Sequence, residues 1–172
     1  AYYPFYGSED REVEISNLLN MFNYAVESSK KAQSNLFTIG YFNFPHVPFL
    51  FDEQGNKTRD SDRLNLRDTA PYLAQFKYAN KKILEMTTEI IANDPEAIII
   101  IQSDHGYRYP THLQFWYGIN QYDVEEEAPY MRNILNAVYY QGEDIYIDNY
   151  SGLNTLITVL NKLLDVDLQM VD

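Results

Sequence analysis

The chain has 172 residues, 45% of them hydrophobic and 22% charged, and it is rich in aromatics with 16 Tyr, 9 Phe and 1 Trp, a composition that belongs to a folded globular chain and excludes a disordered tail. Its 13 basic and 25 acidic residues leave a formal net charge of −12, which repels a phosphate backbone at long range and excludes a nucleic-acid partner. With no Cys it has no disulfide scaffold, Cys-ligated zinc or thiol nucleophile, and its longest apolar run, Ala97–Ile101, is far below the roughly 20 residues that cross a bilayer.

The N-terminus lacks the basic-then-apolar layout of a signal peptide, so these residues by themselves read as soluble. Charge is unevenly spread. Residues 1–86 carry 10 basic and 11 acidic side chains, whereas 87–172 carry 3 and 14, so the second half is the better host for a cation.

In chain order, Ser8-Glu9-Asp10-Arg11-Glu12 marks a helix start, and Val13, Ile15, Leu18, Leu19, Phe22, Ala25 and Val26 recur near helical spacing, predicting a helix over 9–31. The β-branched and aromatic stretch 35–42 predicts a buried strand that enters a turn at Pro45 and Pro48. Residues 52–70 have turn chemistry and mixed charge, as expected of a surface excursion. Pro71 suits a first helical turn, and Tyr72, Leu73, Phe76, Ala79, Ile83, Met86 and Ile90 form an apolar stripe that closes at Asn93-Asp94-Pro95, the clearest helix of the chain.

Ala97–Ile101 is an unbroken β-branched run, which predicts a strand buried on both faces of a parallel sheet, with the preceding helix as its βαβ crossover. Residues 107–129 read as a loop insertion rich in Tyr and acid, 134–140 and 145–147 as further strands, and the residues after Ser151 as a last helix through Leu164. The expected fold class is α/β: a layered sandwich of helices around a central, mostly parallel β-sheet, in one domain spanning 1–172.

Ligands of open parallel sheets bind beyond the carboxyl ends of strands, which singles out two places. The first is Gln102-Ser103-Asp104-His105-Gly106. An adjacent carboxylate and imidazole can reach one divalent cation, and Gly106 lets the backbone turn away. The plainer reading is a loop-capping Asp104 beside an ordinarily hydrogen-bonded His105. The second place is Asn43-Phe44-Pro45-His46-Val47-Pro48-Phe49, where prolines on both sides hold His46 in one direction, as suits an anion contact. Its plainer reading is a packed aromatic-proline loop with an incidental histidine.

Further candidates carry less. His112 could line the crevice of the Asp-His-Gly turn or stand on a surface loop, and Arg59, Arg63, Arg67 and Arg108 could hold an anionic substrate, Arg108 being the best placed in sequence. Asp123 with Glu125, Glu126 and Glu127 lacks the spaced ligands of a calcium loop and reads as a solvated charge run. Trp116 and Tyr107, Tyr109, Tyr117 and Tyr122 could stack on a sugar or cover a core edge.

Taken together, Pro-His-x-Pro-Phe at 45–49, Phe51-Asp52-x-x-Gly55-Asn56, the helical set Tyr72, Leu73, Gln75, Tyr78, Asn80 and Lys81, the run Ile98–Gly106, and Arg132 with Asn136, Ala137, Tyr139 and Tyr140 resemble the C-terminal half of sulfatase-like hydrolases of the alkaline phosphatase superfamily. The similarity is closest to the membrane-attached sulfatase or lipoteichoic-acid-synthase-like branch and runs from about residue 10 to 165. It implies a metal-dependent site that hydrolyses or transfers sulfate or phosphate esters, with Asp104 and His105 as ligands of a divalent ion. Zinc or manganese suits a His ligand best, with calcium or magnesium as alternatives. His46 would contact the anionic group of the substrate, joined by Arg108 and His112.

The resemblance further implies that the nucleophile, a Thr, Ser or Cys-derived formylglycine, comes from an N-terminal half that these residues do not include. The chain is thus expected to be the C-terminal portion of an extracytoplasmic enzyme attached to the membrane through N-terminal segments, and to be inactive alone. The alternative expectation is a non-catalytic α/β module that binds a glycan or a protein through its acidic, Tyr-rich face.

Overall fold

The structure, a computed structural model, describes residues 11–31, 36–108, 131–147 and 151–171. The chain forms two compact units, Ala1–Asp94 and Pro95–Asp172. In the first, helix α1 (Arg11–Lys31) begins with Glu12 and Glu14 and ends with Lys30 and Lys31, so charge of the right sign faces each end of the helix dipole. It buries Ile15, Leu18, Phe22 and Val26, a stripe at i, i+3, i+7 and i+11.

Helix α2 (Thr69–Asn93) starts at Asp68, whose carboxylate accepts from the Ala70 amide at 2.9 Å, and stops at Asp94, before Pro95 would break the ladder. It packs on α1 and buries Pro71, Gln75 and Ala79, each four residues from the next. The core between them gathers Ile15, Leu18, Phe22, Leu50 and Phe51, flanked by Phe42, Phe44, Tyr78 and Met86. Its aromatics meet tilted or edge-on, with Phe22 and Phe42 centroids 4.6 Å apart and Phe51 and Tyr78 centroids 4.8 Å apart, as ring quadrupoles favour.

The excursion 52–68 is tied to α1 by arginines. The Arg11 guanidinium donates to the carbonyls of Leu50 and Thr58 and pairs with Asp60 at 3.1 Å, and Arg63 pairs with Glu14.

In the second unit, β1 (Ile98–Gln102) pairs antiparallel with β2 (Asn136–Tyr140) in a register running from Ile98 opposite Tyr140 to Gln102 opposite Asn136. Helix α3 (Gly152–Leu164) is capped by Ser151, whose hydroxyl accepts from the Asn154 amide at 3.1 Å, and it packs on β2. Asn154 and Asn161, seven residues apart on α3, clasp the trailing chain. Each side-chain amide donates to and accepts from one backbone unit, at Val171 and Leu168 respectively, over 2.8–3.0 Å.

The expected α/β sandwich around a parallel sheet is corrected by this topology. Among the described residues the sheet has two strands and they run antiparallel, with three helices as the other major elements. The first expected strand, 35–42, is not one: residues 36–44 are irregular, and Phe37 and Ile39 are 82% and 81% exposed. Its β-branched and aromatic residues register a preference for extended backbone, but a strand exists only where a neighbour receives its hydrogen bonds.

Lacking that strand, α2 is not a crossover between parallel strands. The isoleucines of β1 are half-buried rather than enclosed on both faces, because a run of apolar residues carries no information on the direction of pairing. Residues 145–147 form no strand either; the chain leaves β2 through Gln141 and Gly142, both at positive φ. No helix among the described residues is long and apolar enough to cross a membrane.

Candidate functional site

The Pro-His-x-Pro-Phe loop shows first why its prolines need help from elsewhere. Pro45 and Pro48 have no amide proton, so the loop has fewer main-chain donors than carbonyls to satisfy. Gln75 supplies what is missing. Its side chain is 0% exposed, and its Nε2 donates to the carbonyls of Pro45, His46 and Pro48 at 3.1, 2.9 and 3.3 Å.

At the other end of the same amide, Oε1 accepts from the backbone amides of Leu50 and Phe51 at 2.6 and 3.2 Å. The amide's orientation follows from its partners, since carbonyls can only accept and backbone N–H groups only donate. Both peptide bonds entering the prolines, Phe44–Pro45 and Val47–Pro48, are cis.

Within this frame His46 is exposed, and its Nδ1 lies 2.7 Å from the Val47 carbonyl oxygen. A carbonyl oxygen cannot donate, so Nδ1 carries the proton and Nε2 is the basic nitrogen. The loop continues into a buried run of Phe49, Leu50 and Phe51. Phe49 meets Tyr72 edge-on, and the burial of Tyr72 pushes its phenol up from the ordinary value, so it stays neutral.

The Phe51-Asp52-x-x-Gly55-Asn56 stretch is a tight turn. Asp52 Oδ1 accepts from the amides of Gln54 and Asn56 at 2.9 and 2.8 Å, and Oδ2 from the Asn56 side chain at 3.0 Å. Those donors, the Asn56 side chain foremost, hold the Asp52 carboxyl below its usual range. Gly55 sits at φ 89° with the Tyr78 ring against it; a Cβ there would lie 2.5 Å from that ring. Three of the sequence's noted motifs therefore form one assembly, with Gln75 holding the histidine loop and Tyr78 supporting the adjoining turn.

The second place is built on main chain. Beyond β1, the Ser103 amide donates to the Leu135 carbonyl at 3.0 Å, the Leu135 amide returns a bond to Ser103 Oγ at 2.8 Å, and the Gly106 amide donates to Met131 at 2.8 Å. Gln102 ties the strand end to Asn136 and to the Gly152 carbonyl, and Asn136 reaches Thr155 Oγ1 at 2.7 Å.

His105 Nδ1 lies 2.6 Å from the Gly106 carbonyl oxygen, which again places the proton on Nδ1 and leaves Nε2 basic. That nitrogen is 3.8 Å from Asp104 Oδ1. Gly106 serves through its two backbone groups and not through a left-handed turn: the described glycines at positive φ are Gly55 and Gly142.

A divalent ion can be tested against this pair. Zinc–nitrogen and zinc–oxygen bonds of about 2.1 Å let one ion bridge donors up to about 4 Å apart, and a ligating histidine ordinarily donates its other ring proton to a carbonyl or carboxylate. Asp104 and His105 meet both conditions in donor type, spacing and tautomer. They provide two ligands: among the described residues no group of three or more His, Asp or Glu side chains could hold a metal ion.

His46 belongs to the first compact unit, and Asp104, His105 and Arg108 to the second. Arg108 is exposed. Arg63 pairs with Glu14, and Arg59 and Arg67 lie exposed on the excursion, Arg67 with a partner of its own. His112, Trp116, most of the Tyr-rich stretch and the acidic run 123–127 lie outside the described residues.

Gln75 is the functional-site residue to which residue-by-residue reading assigned no role. The available signal was a lone amide on the buried face of α2, four residues from Pro71 and from Ala79. No protein-family model, curated protein or solved structure matches the chain.

Proposed function

We propose that the chain carries part of the site of a metal-dependent hydrolase or transferase of sulfate or phosphate esters, its nucleophile being supplied from outside these residues. The observation that carries this reading is the Asp104–His105 pair, with a carboxylate oxygen and a basic imidazole nitrogen 3.8 Å apart at a strand exit where the Ser103 and Gly106 amides are held by the carbonyls of Leu135 and Met131. The order of the motifs, which resembles that of sulfatase-like hydrolases, is the second support. The reading includes an extracytoplasmic, membrane-attached parent protein.

In this reading Asp104 and His105 Nε2 hold a divalent ion, zinc or manganese before magnesium or calcium. Such an ion supplies charge neutralisation on the group being transferred. The Gly106 carbonyl keeps the ring proton on Nδ1, so that Nε2 stays available as a ligand. His46 meets the anionic group of the ester. The acidic second half of the chain favours the cation and opposes the ester's charge, which the cation and Arg108 of the same unit offset.

The test is zinc or manganese titration of the 172-residue chain, followed by calorimetry and by the His105 imidazole signals. Saturable binding that Asp104→Ala and His105→Ala each weaken at least tenfold is the expected result. In a longer protein that contains the nucleophile, chelator-sensitive cleavage of an aryl phosphate, phosphodiester or sulfate ester should be lost in Asp104→Ala. Absence of metal binding, or activity untouched by Asp104→Ala, overturns the reading. Chelator-insensitive binding of a glycan or protein without metal affinity would point to a binding module.

A further inference from the structure

We propose that Gln75 is the positioning residue of the His46 loop and selects the tautomer of the His46 ring. The loop has four consecutive carbonyls, from Pro45 to Pro48, and they are divided between two acceptor roles. Those of Pro45, His46 and Pro48 turn inward to the Gln75 side-chain nitrogen, and that of Val47 meets the His46 ring. By drawing in the carbonyls on both sides of it, Gln75 fixes the peptide whose Val47 carbonyl meets the His46 ring.

The ring proton therefore resides on Nδ1 because of an amide on another element, 29 residues further along the chain. An isolated histidine has no such constraint, since either ring nitrogen can carry the proton. The requirement is for glutamine in particular. Glutamate of the same length keeps the two acceptor bonds to Leu50 and Phe51 but, when ionised, has no donor for the three carbonyls. Asparagine is one methylene too short to reach both ends, and leucine or methionine offers neither donor nor acceptor.

The affinity part of the test rests on His46 as the anion contact, while the tautomer part does not. In the intact 172-residue protein, imidazole nitrogen NMR should show His46 protonated at Nδ1, and through-hydrogen-bond couplings should link the Gln75 side-chain nitrogen to the carbonyl carbons of Pro45, His46 or Pro48. In both Gln75→Leu and Gln75→Glu the Nδ1–H form should lose its dominance, and inorganic phosphate or sulfate should bind at His46 at least tenfold more weakly. The amide signals of α1 and α2, which share a unit with Gln75 and His46, serve as the check on folding.

Loss of the tautomer preference without measurable phosphate or sulfate binding in the unsubstituted protein would sink the anion assignment of His46 and leave the role of Gln75 standing. An unchanged His46 tautomer in both variants overturns the proposal. So does the absence of the Gln75 couplings in the unsubstituted protein, a measurement that holds even if neither variant folds.

Discussion

The loop at 45–51 and the strand exit at 102–106 solve one problem in two ways. Each presents a histidine whose Nδ1 bonds the carbonyl of the next residue, at 2.7 Å in His46 and 2.6 Å in His105. That bond is local and fixes little unless the accepting peptide is itself held. At the strand exit the holding is done by main chain, since Ser103 and Gly106 continue the pairing toward 131–135. In the proline loop main-chain bonds begin only at Phe49 and Leu50, which pair with Arg63 and Thr58, and across Pro45–Pro48 the fully buried side chain of Gln75 does the work instead. The difference teaches that proline restricts a loop's shape but strips it of donors, so a rigid proline loop needs polar help from outside itself.

This contrast can be broken most severely at Gln75. Gln75→Leu leaves three carbonyls and two amides without their buried partner, and unsatisfied buried groups cost about 1–3 kcal/mol each before relaxation. We expect a loss of about 3 kcal/mol or more in urea unfolding, with early amide exchange at 45–51. A next-smaller effect is expected from Gly55→Ala, which combines an unfavourable positive φ with a collision against Tyr78. Together these should cost about 2–3 kcal/mol, and trimming the ring in Tyr78→Leu should relieve the collision part.

The strand exit should be less sensitive to any one side chain. Asn136→Ala removes the bonds to Thr155 and Gln102 and should cost about 1–2 kcal/mol. The Asp104 and His105 signals should shift while the backbone bonds of Ser103 and Gly106 persist. A loss as large as that of Gln75→Leu would refute the idea that main chain carries this end.

The smallest expected effect is in acid. The folded Asp52 carboxyl lies below its ordinary value of 3.8, so its contribution is complete above that value and is lost as pH falls through the lower folded one. Asp52→Asn should flatten the pH dependence of stability in that window, as read from urea midpoints at successive pH values.

The local elements were legible because their signals are local. The stripe Ile15, Leu18, Phe22 and Val26, the proline at the first turn of α2, the serine cap of α3 and the isoleucine run of β1 each lie within one segment, and each forms the expected element within a few residues. The failures are non-local. Residues 36–42 have strand composition but pair with no strand among the described residues, and the isoleucines of β1 face an antiparallel partner whose direction the run does not encode.

For the candidate site, Asp104 and His105 were legible as neighbours at a strand exit. The tautomers of both histidines were not, because each depends on where a carbonyl points. Gln75 was visible as a motif position and invisible as a support, since its five partners lie 24 to 30 residues away.

What the sequence alone determined is therefore the helices, the two β segments and the residue types able to ligate or bind an anion. These follow from short-range periodicity, caps and the chemistry of side chains. The tertiary structure alone decided the antiparallel pairing, the irregular backbone of 36–42 and the burial of one glutamine amide against a donor-poor loop. Each of these depends on which distant backbone groups are present to complete a hydrogen bond, and a chain read one segment at a time does not contain that information.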